Sequence, residues 1–148
     1  MSDASNLAVV RRFLLLLREG SPPSDEELAR ALDELALAYH EAPDGSPADD
    51  DLEPPSRNFQ QLYAALGKRF PDYGHYAVAD PSKPLNCDRL VGDAIDDLAD
   101  IAGDLEEVLW RFENIGPDDA YWYFKLLYRM HWGQHVRELA HYLHAKIW

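Results

Sequence analysis

From Asp88 to Asn114 the apolar residues Val91, Ala94, Leu98, Ile101, Leu105, Val108 and Phe112 recur at alternating spacings of three and four. That spacing is the a/d seam of a helix, and a seam of this length has to be covered by another helix. The partner is the segment that follows. Ile115-Gly116-Pro117 ends one helix and opens the next, because glycine stops a helix and proline suits a first turn. The next helix is read from Asp118 to Ile147. Two long helices joined by so short a link are expected to pack as an antiparallel hairpin.

Three more helices are expected upstream. The first runs from Asn6 to Glu19, with Leu7, Val10, Leu14 and Leu17 on one face and Gly20 as its stop. The second runs from Asp25 to His40. Ser24 and Glu27 form a capping box, and Leu28, Leu32, Leu35 and Tyr39 form its stripe. A third runs from Arg57 to Phe70, with Phe59, Leu62, Tyr63 and Leu66 on one side. Residues 41–55, which read EAPDGSPADDDLEPP, predict a flexible acidic loop, and residues 71–87 an irregular Tyr-rich loop with at most a short strand. The expected architecture is a single all-α domain over residues 1–148, a bundle of four or five helices with a long C-terminal hairpin.

The 148 residues carry 27 acidic and 14 basic side chains, a formal net charge of -13. Nucleic acid and anionic membrane are repelled by such a surface, whereas a protein partner with a basic surface is attracted. One cysteine, Cys87, fits a reducing compartment. The apolar run Phe13–Leu17 is too short for a secretory signal and no cleavage site follows it, which predicts a cytoplasmic protein. GxGxxG, Walker A and GxSxG motifs are absent, so no cofactor is implied and no catalytic residue is assigned.

Four constellations could carry chemistry. Asp93, Asp96, Asp97, Asp100, Asp104 and Glu107 fall within about 100° of one another around their helix. That sector lies nearly opposite the apolar stripe, which predicts a solvated acidic face. Like charges four apart, as at Asp96 and Asp100, each cost a few tenths of a kcal/mol and ask for outside relief. Second, His131 and His135 in His-Trp-Gly-Gln-His have a zinc-ligand spacing. They share a stripe with Phe124, Tyr128 and Tyr142 at the edge of the apolar face, so they are expected to be half-buried. A third ligand would come from another segment, with His75 available, and the tentative metal set is His131, His135, Asp97 and Asp100. Third, Glu138 and His141 form one Glu-x-x-His, where di-iron bundles need two. Fourth, Tyr121, Trp122, Tyr123, Phe124, Tyr128 and Trp132 surround the fifth helix, either as core or as a surface for a second copy.

Asp80-Pro81, Val91-Gly92-Asp93, Asp96-Asp97-Leu98-Ala99-Asp100-Ile101, Asp104-Leu105, Asp119-Ala120 with Trp122, His131-Trp132-Gly133 with His135, and Leu143-His144 together resemble a bacterial family, domain of unknown function 5063. The resemblance spans about Tyr76 to His144 and departs at Ala102-Gly103, where this chain has less bulk. It implies no activity and supplies no catalytic residue.

The leading expectation is a non-catalytic interaction or binding module, as a homodimer or with a basic partner. The alternative is a metal-dependent hydrolase of the all-α type with His and Asp/Glu ligands. A small-molecule site on Tyr121, Tyr128 and Trp132, beside His131 and His135, is a third reading.

Overall fold

The computed structural model describes residues 3–49 and 51–148. Met1, Ser2 and Asp50, which fall within the expected domain, and Asp50 within its acidic loop, lie outside the described residues. Six helices and one two-stranded sheet follow in order: α1 (Asp3–Arg18), α2 (Asp25–Glu41), α3 (Phe59–Arg69), β1 (His75–Val78), β2 (Leu90–Asp93), α4 (Ala94–Asn114), α5 (Pro117–Leu127) and α6 (Gly133–Ile147). A π turn, Tyr128–Trp132, joins α5 to α6 without a break, so the described residues form five helical rods and are all-α apart from the two-stranded sheet. No helix among the described residues is long and apolar enough to cross a membrane.

Local chemistry explains the boundaries. Ser24 Oγ accepts from Glu27 N at 3.1 Å and caps α2. Asn58 Oδ1 accepts from Gln61 N at 3.1 Å, so α3 begins at Phe59 and Arg57 belongs to the loop before it. The carbonyls at the end of α1 accept from the Arg69 guanidinium: Leu16 at 2.9 Å, Glu19 at 2.7 Å and Gly20 at 3.0 Å. A cation at a helix C-terminus also suits the dipole.

α4 starts later than its heptad predicts. Residues 90–93 pair antiparallel with β1, in the register His75↔Asp93, Tyr76↔Gly92, Ala77↔Val91 and Val78↔Leu90. Val91 is therefore an exposed strand residue and not the first knob of the seam. Asp93 becomes the cap, its Oδ1 accepting from Ile95 N at 2.9 Å and Asp96 N at 3.3 Å. From Leu98 onward the seam holds: Leu98, Ile101, Leu105 and Val108 are fully buried. α4 packs against α1, α3, α5, the π turn and α6, which makes it the central rod.

The described residues of the segment after α2 form no helix or strand, as its prolines predict, but they are stitched to α5. Ser46 N donates to Asp118 O at 3.0 Å and Ala48 N to Asp119 Oδ1 at 2.9 Å. Gly45 has φ +67, and a Cβ there would lie 2.3 Å from the Asp118 carbonyl, so only glycine allows this approach.

Candidate functional site

Because α4 is enclosed, its carboxylates do not form the solvated face that its helical wheel suggests. Asp97 and Asp104 are 2% and 1% exposed, and Asp93 and Asp100 are half-buried. A single-helix wheel assumes one covered side; here α6 and the loop before α3 cover the polar side as well. An ionised carboxylate removed from water needs a charged or hydrogen-bonding partner, and each buried one has found it.

Asp97 Oδ1 lies 2.6 Å from His135 Nδ1, and Asp104 Oδ2 lies 2.7 Å from His131 Nδ1. A carboxylate can only accept, so each Nδ1 carries the proton and each Nε2 is directed elsewhere. Both Nε2 atoms face Asp100 Oδ2, His135 at 3.1 Å and His131 at 3.7 Å. One ligating atom each from Asp100, His131 and His135 falls within 4.8 Å of the others, and the same holds for Asp96, Asp97 and His135.

Further groups hold the carboxylates. Tyr76 donates to Asp97 Oδ2. Its ring lies across Gly92, where a Cβ would meet it at 2.5 Å. Arg57 Nη1 donates to Asp104 Oδ1 at 2.7 Å and Nη2 to Glu107 Oε1 at 2.8 Å. The Arg57 side chain lies over Gly103, where a Cβ would meet it at an ordinary contact distance of 3.4 Å. Beside Asp100 opens a cavity of about 660 Å³, walled by Arg18, Arg57, Phe59, Leu62 and Trp110.

The electrostatics follow from the packing. Burial alone would lower the His135 pKa, but the hydrogen bonds to Asp100 and Asp97 outweigh it and push it up to about 10. Burial raises Asp100, yet His135 and His131 bring it below the usual carboxylate range. Asp96, desolvated and beside the Asp100 charge, is raised to about 6.

A family model described as domain of unknown function, DUF5063, matches residues 5–147. The chain belongs to this family. Membership thus covers nearly the whole chain and extends well beyond the stretch from Tyr76 to His144 on which the sequence resemblance stood. No curated protein matches. Among solved structures, the crystal structure of protein BF1032 from Bacteroides fragilis, a structural genomics target, is similar with a TM-score of 0.76 at 17% identity, covering 98% of this chain and 91% of that one. At that identity the likeness concerns the fold alone.

Of the residues singled out in the sequence, the structure brings together His131, His135, Asp97 and Asp100. His75 is not among them: it lies against Asp93 at 3.6 Å and is largely exposed. Trp132 and Tyr121 are buried in the core, with Trp132 Nε1 donating to Phe124 O at 3.1 Å. Tyr128 stacks on Tyr39 at 3.7 Å between ring centroids, on the α2 side of the rod. These three rings pack within the protein and do not line the histidine cluster. Glu138 accepts from Gln134, and His141 is exposed, as the unpaired Glu-x-x-His suggests. Arg57, Tyr76 and the structural weight of Asp104 escape sequence reasoning. Gly92, which admits the Tyr76 ring, was the available signal.

Proposed function

We propose that this protein binds a divalent transition metal through His131 Nε2, His135 Nε2 and Asp100, and works as a metal-dependent hydrolase. One observation carries this reading. Two imidazoles have their Nδ1 atoms held by buried carboxylates while both Nε2 atoms converge on a single carboxylate oxygen. Carboxylate–histidine–metal triads are built this way, because the outer carboxylate fixes the tautomer and aims the ring. The spacings fit as well. Ligand atoms about 2.1 Å from a shared ion stand about 3.0 Å apart at right angles and about 3.4 Å apart at tetrahedral angles. The His135 Nε2–Asp100 Oδ2 distance of 3.1 Å falls inside that range, and the His131 distance of 3.7 Å exceeds it by about 0.3 Å.

An imidazole and carboxylate set suits zinc, iron, cobalt or manganese. Three protein ligands leave positions open, which is the pattern of a catalytic site and not of a structural one. A metal held there supplies a Lewis acid and an activated water. The chain's own part is to aim the rings through Asp97 and Asp104, fix those carboxylates through Tyr76 and Arg57, and offer the cavity beside Asp100 to a substrate. The interaction-module reading loses its main support, since the acidic face that would meet a basic partner is largely turned inward. Exposed, unpaired Cys87 supports the cytoplasm as the place of work.

Isothermal titration of EDTA-treated protein with Zn²⁺, Co²⁺ and Mn²⁺ tests the site. One ion per chain is expected for at least one metal, with His135→Gln weakening it by about 100-fold or more. The metal-loaded protein is expected to hydrolyse members of a carboxyl- and phosphoester panel, and His135→Gln to abolish this. Absence of stoichiometric uptake by the wild type would overturn the reading.

A further inference from the structure

Resting on that metal reading, a positioning device can be assigned in the rod that carries the histidines. Phe124 and Trp132 are both in the core, Trp132 following by eight residues, and Val136, Leu139 and Leu143 continue the buried stripe. In an uninterrupted α-helix eight residues advance about 800°, so Trp132 would point about 80° away from Phe124. The π turn removes the discrepancy. It takes up one extra residue without advancing the helix by a full step, with Gly133 N donating to Tyr128 O five residues back. Trp132 thereby returns to the face of Phe124.

The same count decides where the histidines go. His131 and His135 follow Phe124 by seven and eleven residues. In a straight helix each would fall within about 20° of Phe124 and point into the apolar core. With the π turn, Trp132 and Val136 take those core positions, and each histidine, one residue earlier, is turned toward the carboxylates of α4.

Gly133 makes the wide turn possible. A Cβ there would lie 2.5 Å from Tyr128 O and 2.8 Å from the Tyr128 ring. Tyr128 cannot easily yield, because its ring stacks on Tyr39 and its hydroxyl accepts from Arg137 at 3.0 Å. We infer that the π turn Tyr128–Trp132 is the phase-setting element of the metal site and that Gly133 is its positioning residue: the turn rotates His131 and His135 out of the core and onto Asp104, Asp97 and Asp100.

The test pairs a break with a rescue. In Gly133→Ala the extra residue is driven into α-helical register, and the histidines rotate away from α4. Deleting Met130, whose side chain is largely exposed, removes the extra residue and restores the phase without a wide turn. Imidazole ¹H–¹⁵N spectra of metal-free protein report the Nδ1–H bonds directly. They are expected to show both bonds in the wild type, their loss in Gly133→Ala, and their return when Met130 is deleted in that background. Co²⁺ affinity, read from its visible absorption, should fall about tenfold or more and recover in step. Retention of both Nδ1–H signals in a folded Gly133→Ala overturns the inference. If Gly133→Ala does not fold, the Met130 deletion alone decides, since it must keep both bonds. A wild type that shows both bonds but takes up no Co²⁺ refutes the metal reading and leaves the phase assignment standing.

Discussion

Two groups of buried and half-buried carboxylates lie on α4 and at the start of α5, and they are neutralised by different chemistry. Toward the C-terminal end, Arg111 Nε donates to Glu107 Oε2 at 2.9 Å and Nη1 to Asp119 Oδ2 at 3.2 Å, while its guanidinium stacks 3.4 Å from the Tyr123 ring centre. Asp119 also holds Ala48, and so anchors the proline-rich segment. In the middle of the helix, Asp97, Asp100 and Asp104 meet His131 and His135 instead. Arginine never loses its proton and has no lone pair to give. A carboxylate closed off by arginine is therefore finished as chemistry and serves as a clamp. Histidine can exchange its Nε2 proton for a metal, so the same burial there produces a site. Arg57 belongs to both groups, with one nitrogen on Asp104 and the other on Glu107.

The largest effect should come from breaking the clamp. Arg111→Met leaves Asp119 buried with only a backbone donor in place of its cation. A loss of about 3–5 kcal/mol in urea-unfolding stability is expected. Metal affinity should stay within about threefold, because Arg111 touches neither histidine. A large change in affinity would mean that the chain Arg111–Glu107–Arg57–Asp104 transmits the loss to His131.

Asp104→Asn is the matching change in the site. It keeps the shape but removes the charge that holds His131 Nδ1–H. Metal binding by calorimetry should weaken about 10- to 100-fold, the usual cost of losing an outer carboxylate. An unchanged affinity would place His131 outside the coordination shell.

The smallest effect separates the groups by pH. With the His135 pKa raised to about 10 from the usual 6.5, its contribution to metal-free stability is complete below about pH 6.5 and is lost as pH rises through 10. The groups facing it are Asp96, Asp97 and Asp100 of α4 and the neighbouring His131 ring. Thermal melts in EDTA should show Tm falling over that window, and the fall should flatten in His135→Gln. The Arg111 clamp has no titrating cation there and contributes no such slope.

Much of the frame was legible because it depends on neighbours in sequence. The Ser24 capping box, the stripes of α1 and α2, the seam from Leu98 to Val108 and the stop at Gly116-Pro117 are all read within a few residues. The His131/His135 pair was legible as a candidate for the same reason. The inward turn of Asp97 and Asp104 was not, because it depends on how many sides of α4 are covered, a property of the whole bundle. Arg57 reaches Asp104 across 47 residues and Tyr76 reaches Asp97 across 21, and no local period announces either contact. The first turns of the α4 seam misled for a related reason: residues 90–93 fit a helical stripe but found a strand partner in β1. The wide turn left no periodic trace, so a wheel drawn through Tyr128–Trp132 put both histidines on the face of Phe124.

The wide turn also bears on how this rod tolerates a change in length. Substitutions change a helix one side chain at a time, but adding or removing one residue turns everything downstream by about 100° at once. An inserted residue that is taken up as a bulge, as Gly133 allows here, cancels that turn and leaves every side chain beyond it facing its old neighbour. A single-residue deletion beside the bulge restores a regular helix in the same phase, so a change of one residue at Met130 leaves α6 facing α4 as before.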